Sequence, residues 1–154
     1  MLDLISEDED LVNNIWMSDE AHFYVSGFVN KQNFHYWSHA NPRALHEKPL
    51  HSQKVKVWCT MSASGIIGPY FFENEAGIAV TVNVDHYVEM MQNFFTPQLA
   101  RFPVNESTLF QQDGATSHTA RMSMNAVNAL FPNRVVSRNW DIPWPHLLPR
   151  LNPL

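Results

Sequence analysis

Two short apolar runs, far apart in the chain, each end on an aspartate: Ile15-Trp16-Met17-Ser18-Asp19-Glu20 and Leu109-Phe110-Gln111-Gln112-Asp113-Gly114. Each reads as a brief buried strand. An acid at the carboxyl end of a strand faces the rim of a sheet, where ligands bind in open α/β folds. If the two strands are neighbours, their carboxylates lie close together. Such charges repel, and one takes up a proton unless a cation intervenes. Mg²⁺ suits that position, because it prefers carboxylate, water and phosphate oxygens. Two metals about 4 Å apart can activate water on one side of a phosphodiester and stabilise the leaving oxygen on the other. Asp19 and Asp113 are therefore the candidate catalytic and metal-binding acids. Each also has a plainer reading as a solvated turn residue, Asp-Gly being a common turn pair.

The pattern around these runs predicts the rest of the sheet. Residues 13–19 and 22–26 read as two strands, with Gly27 as a turn and residues 30–37 as a hairpin partner. Residues 38–53, with Pro42, Pro49 and three histidines, read as a long loop. Residues 54–61 alternate cleanly: Val55, Val57, Cys59 and Met61 face one way and Lys54, Lys56, Trp58 and Thr60 the other. After a turn at 62–65, residues 66–72 form an antiparallel strand whose Gly68-Pro69 predicts a bulge or an edge. Another short strand is expected at 80–83. Asp85 is a good N-cap for a helix through Phe95, with Tyr87, Met91 and Phe94 on one face and Pro97 ending it. Residues 108–112 read as a strand, and 119–131 as a helix with Ala120, Met124, Val127 and Phe131 in a stripe. Val135-Val136 is a brief last strand. From Ile142 onward the prolines require extended chain. This order predicts an α/β or α+β domain with a mixed sheet.

A length of 154 residues with 45% hydrophobic and 16% charged residues fits one globular domain with a real core. Residues 1–12 read as an acidic N-terminal arm and residues 13–154 as the domain. The net charge of −5 comes from the arm: Asp3, Glu7, Asp8, Glu9 and Asp10 lie in the first ten residues. The remainder is formally neutral. It lacks the strong basic field of a stand-alone nucleic-acid binder, while a metal-bridged contact to phosphate remains open. The lone Cys59 allows no internal disulfide and no zinc knuckle, and is expected as a buried thiol. No secretory leader and no membrane-spanning run of roughly 20 apolar residues is legible.

The motifs resemble one family. Trp16-Met17-Ser18-Asp19-Glu20-Ala21-His22-Phe23 resembles the first-aspartate segment of mariner-type transposases. Phe110-Gln111-Gln112-Asp113-Gly114-Ala115-Thr116-Ser117-His118-Thr119-Ala120 resembles their second-aspartate segment. Lys56-Val57-Trp58-Cys59 and Gly65-Ile66-Ile67-Gly68-Pro69-Tyr70-Phe71-Phe72 resemble the strand pair between them, and Ile142-Pro143-Trp144-Pro145 the approach to a third acid. The resemblance runs in family order from about Ile15 to the end of the chain. It implies a ribonuclease H-like fold, a mixed sheet flanked by helices, with the first strand central and the second-acid strand beside it. It implies DDE/DDD chemistry: water attacks a phosphodiester at a transposon end, and the freed 3′-hydroxyl attacks target DNA. By this resemblance Asp19 and Asp113 are two of three acids holding Mg²⁺ or Mn²⁺. DNA is the implied partner, the nucleus the implied location, and a homodimer a further expectation.

The departures from the family matter equally. Where its tail reads roughly S-P-D-L-x-P, this chain has Leu148-Pro149-Arg150-Leu151-Asn152-Pro153, and the third acid would fall just past Leu154. The expected fold is therefore incomplete at its C-terminus, with any metal weakly held and catalysis lost. The alternatives are a catalytically dead relic or nucleic-acid-binding module, and a stand-alone ribonuclease H-like nuclease drawing a further acid from Glu20, Asp85 or Asp141. On a strand, Glu20 points away from Asp19 and reads as structural. Asp141 reads as a turn residue. His118 reads as a polar helix-start residue, or as a contact to phosphate or metal-bound water. His22 belongs to the sheet surface, and His35, His39, His46 and His51 are solvated. Arg43, Lys48, Lys54 and Lys56 read as a solvated face, or as a modest phosphate patch.

Overall fold

The computed structural model describes residues 13–25, 54–138, 140 and 142–143. Between Asp19 and His22 stand only Glu20 and Ala21, neither a turn signal. The two strands expected there are accordingly one, β1 (Ile15–Tyr24). It pairs antiparallel with β2 (Lys54–Ser62), from Met17↔Met61 to Tyr24↔Lys54. Strand β2 pairs in turn with β3 (Gly65–Phe71) at the sheet edge. The pairing shifts between Trp58 and Thr60, so Gly68-Pro69 sits in a bulge on an edge strand, as its sequence predicts. Gly68 has φ +131°, and a Cβ there would lie 2.9 Å from the Cβ of Cys59, so only glycine fits.

No strand forms at 80–83. The chain makes one bridge, Glu73↔Ala79, around a turn in which Asn74 Oδ1 accepts the N–H groups of Ala76 and Ile78, both at 3.0 Å. Asn83, not Asp85, caps the next helix: its Oδ1 accepts the His86 N–H at 2.8 Å. Helix α1 (Val84–Met90) runs into a π turn (Met91–Phe95) and then α2 (Thr96–Leu99). Pro97 therefore does not end the helix. It sits in the first turn of α2, where a missing N–H costs little. The wider π turn rotates Phe95, rather than the expected Phe94, fully into the core beside Tyr87, Met90 and Met91.

Strand β4 (Leu109–Gln111) pairs parallel with β1. A short helix, α3 (Thr116–Thr119), precedes α4 (Arg121–Leu130), whose stripe buries Met124 and Val127, with Phe131 just beyond. Strands β5 (Val135–Ser137) and β6 (Ile142–Pro143) complete the sheet in the order β3-β2-β1-β4-β5-β6. Strands β1, β4, β5 and β6 are mutually parallel. This is a mixed sheet with β1 inside it and β4 at its side.

The described helices lie on one face. There Trp16, Trp58, Phe95, Phe110, Phe131 and Val135 join α1 and α4 in the main core. The stack Phe95–Phe110–Phe131, with ring centroids 5.4 and 5.3 Å apart, is its centre. The opposite face carries a small cluster of Ile15, Leu109 and Val136 with Ile142 against it. Strand β2 alternates as expected, and its Trp58 and Thr60 face is the buried one. Cys59, on the other face, is half-buried rather than buried. No described helix is long and apolar enough to cross a membrane. The acidic arm, the hairpin partner at 30–37, the loop at 38–53 and the proline-rich stretch from Trp144 onward lie outside the described residues.

Candidate metal centre beside the two central strands

The β1–β4 pair runs parallel through Ile15↔Leu109, Trp16↔Phe110 and Met17↔Gln111. Two residues further along each chain stand Asp19 and Asp113. Asp19 thus lies inside β1, beside the place where the chain has just left β4 at Asp113, on strands whose axes lie about 4.8 Å apart. Buried hydroxyls pin this junction: Ser18 Oγ donates to Gln111 O at 2.8 Å, and Thr60 Oγ1 to Met17 O at 3.0 Å.

The two aspartates differ in surroundings. Asp19 is exposed, and its Oδ1 accepts the adjoining Glu20 N–H at 2.7 Å. Asp113 is also exposed, but its Oδ1 accepts the Ala115 N–H at 3.0 Å and meets His118 Nδ1 at 2.6 Å. The other ring nitrogen, Nε2, lies 2.7 Å from Glu20 Oε1, and Glu20 Oε2 lies 3.0 Å from Lys56 Nζ. His118 is thus buried between two carboxylates, with the Tyr87 ring 4.4 Å from its own. Burial disfavours the charged imidazole, but the hydrogen bonds and charges of Asp113 and Glu20 outweigh it and raise the pKa to about 9. The ring is doubly protonated at neutral pH and donates to both acids. The His118 hydrogen bond holds the Asp113 carboxyl below its ordinary range. For Glu20, burial acts upward, yet His118 and Lys56 together bring the carboxyl below its ordinary range.

Beneath this layer Gln112 is fully buried. Its Oε1 accepts from Tyr87 Oη at 2.7 Å, and its Nε2 donates to His118 O at 3.2 Å and Ser137 Oγ at 3.3 Å. Burial, with Glu20 and Asp113 nearby, pushes the Tyr87 phenol well above its usual pKa, so it stays a donor. Gly114 is explained by proximity rather than turn geometry: a Cβ there would lie 2.8 Å from Arg138 Cδ.

The structure therefore joins Asp113, His118, Glu20 and Lys56 by direct contacts, while Asp19 adjoins Glu20 on β1 and points to the opposite face. Lys56 is committed to Glu20 and is no member of a free phosphate patch. Lys54 lies over the Tyr24 ring, 5.1 Å from its centroid. His22 is exposed, as expected of the sheet surface, and Asp85 is exposed in the first turn of α1. His35, His39, His46, His51, Arg43, Lys48 and Asp141 lie outside the described residues. Sequence reasoning missed Tyr87 and Gln112 as parts of the site. It read Glu20 and His118 singly, and only their contact, 98 residues apart in the chain, reveals them as partners.

Among the described residues no group of three or more His, Cys, Asp or Glu could hold a metal. Carboxylate oxygens are the donor type that Mg²⁺ and Mn²⁺ take. Mg²⁺ is commonly bound by one or two carboxylates, the other positions going to water and substrate phosphate, and both hydrogen bonds to Asp113 fall on Oδ1.

The fold is ribonuclease H-like, and solved transposase structures share it. The Mos1 mariner paired-end complex with Mn is 22% identical with a TM-score of 0.60, over 93% of this chain and 39% of that one. The Mos1 strand transfer complex is 21% identical with a TM-score of 0.60, over 93% and 38%. The Mos1 transposase catalytic domain with raltegravir and Mn is 20% identical with a TM-score of 0.55, over 93% and 55%. The chain thus spans about two fifths of the transposase chains in those complexes, and the likeness is one of fold. No protein-family model matches the sequence, and no curated protein does.

Proposed function

We propose that this chain is part of a mariner-type transposase catalytic domain, with DNA as its ligand and Asp19 and Asp113 as two acids of a Mg²⁺ or Mn²⁺ site. The observation behind the reading is the parallel β1–β4 pair: its last partners are Met17↔Gln111, and Asp19, inside β1, and Asp113, past the end of β4, each follow two residues later. The motif resemblance and the likeness to the Mos1 structures support it. A divalent cation there would polarise a phosphodiester and activate water. The chain's own residues do the rest. Asp19 and Asp113 supply oxygens to the cation, the β1–β4 ladder sets their spacing, and Gln112 with Tyr87 fixes the floor beneath them. Two protein carboxylates hold a cation loosely, so phosphate oxygens must complete its shell. In-line attack tolerates little looseness, and the chain by itself is proposed to be catalytically silent.

Calorimetric Mn²⁺ titration of the chain, with Asp19→Asn and Asp113→Asn beside it, tests this. The expected result is weak binding that either substitution removes. Equal binding by all three proteins would sink the shared site. A plasmid-nicking assay with Mn²⁺ addresses the second claim, and nicking above that of the Asp113→Asn protein would show that catalysis survives.

A further inference from the structure

The contacts around Asp113 carry an inference that rests on the metal-site reading and extends it. Asp113 stands beyond the end of β4, where its Oδ1 is held by the Ala115 N–H at 3.0 Å and by one side chain. His118 Nδ1 meets Oδ1 at 2.6 Å, while the Asp113 side chain as a whole stays 56% exposed, leaving Oδ2 to the solvent side. The His118 ring cannot itself swing. Its Nε2 is held by Glu20 at 2.7 Å, its face by the Tyr87 ring at 4.4 Å, and its backbone carbonyl by Gln112 at 3.2 Å. Glu20 in turn is fixed by Lys56 at 3.0 Å. Glu20 also adjoins Asp19 on β1, pointing to the opposite face. An unbroken series of polar contacts therefore runs from β2 through β1 and α3 to the end of β4, passing both aspartate-bearing segments.

We propose that His118 is a positioning residue for the metal site: bridging Glu20 and Asp113, it aims the free oxygen of Asp113 at the cation and ties that oxygen to the strand bearing Asp19. Metal-ligating carboxylates are commonly oriented by such hydrogen bonds, and removing the partner typically lowers metal affinity about 10–100-fold.

The two nitrogens can be tested separately. An asparagine amide falls near the position of Nδ1, and a glutamine amide near that of Nε2. His118→Asn retains the donor to Asp113 and loses the one to Glu20; His118→Gln does the reverse. Mn²⁺ affinity, measured by calorimetry on the 154-residue chain, is expected to fall about 10–100-fold in His118→Gln and to stay close to that of the unsubstituted chain in His118→Asn. A purely structural histidine would weaken both alike. Equal losses, or undiminished binding by His118→Gln, overturn the proposal. Should His118→Gln fail to fold, the unsubstituted chain decides: the ring NH signals of His118 must shift during a Mg²⁺ titration with the same midpoint as the Asp113 amide. A silent ring overturns the proposal. Asp113→Asn separates the two levels of the argument. If that substitution leaves Mn²⁺ binding intact, the metal site itself is wrong. If it abolishes binding while His118→Gln does not, only the role of His118 fails.

Discussion

On the helix-covered face of the sheet, Trp16, Trp58, Phe110 and Val135 are sealed at 1% exposure or less; on the other, Met17, Phe71, Met61 and Phe23 stand 39 to 57% exposed. Composition does not explain the difference. Strand β2 presents Lys-Lys-Trp-Thr to the helices and Val-Val-Cys-Met to the open side. The inward face is the more polar by letter, because Lys56 ends on Glu20 and Thr60 donates to the β1 backbone. Burial follows where the helices pack, and polar groups are admitted there when paired. The open face holds a shallow apolar groove of about 500 Å³ among Phe23, Tyr24, Val25, Val55, Val57 and Phe71.

The contrast can be broken from both sides. The largest expected effect is at the centre of the closed face. Phe110→Ala should lower unfolding free energy by about 3–5 kcal/mol in urea titrations, since the ring is fully buried against Phe95 and Phe131. Next comes the acid–histidine bridge. The His118 pKa of about 9 lies above its ordinary 6.5, so its stabilisation is complete below about pH 6.5 and is lost as pH rises through 9. Glu20 and Asp113 are shifted down, so their share is complete above their ordinary values of 4.5 and 3.8 and is lost on further acidification. Between pH 7 and 10 the chain should lose up to about 3 kcal/mol, and His118→Gln should remove most of that dependence. A smaller step is Tyr87→Phe. It leaves Gln112 Oε1 without its hydroxyl donor and should cost about 1–3 kcal/mol, with little change in fold by circular dichroism. The smallest effect belongs to the open face: Phe23→Ala should cost under about 1 kcal/mol. A cost matching that of Phe110→Ala would show that this face is covered in solution. Concentration dependence of the midpoint would then identify a second copy as the cover.

The alternation of β2, the bulge at Gly68-Pro69 and the stripe of α4 were legible in the sequence, because each rests on local periodicity or on one residue's backbone limits. So were the paired aspartates, which close apolar runs. The misplaced features share a different cause. The π turn keeps the helix running through Pro97, Asn83 outcompetes Asp85 for the cap, and β1 continues through Asp19 because β2 pairs with it from Met17 to Tyr24. Each depends on what packs alongside.

From the letters alone came the candidate acids, the strand–helix order and the likeness to a phosphodiester-cleaving family. These follow from residue chemistry and short-range pattern, which a linear chain already contains. Tertiary structure alone decided which face of each strand is closed, that β1 and β4 meet in register, and that His118 joins Glu20 to Asp113. Those outcomes depend on contacts between residues some 93 to 98 positions apart, and no local preference encodes a distance of that kind.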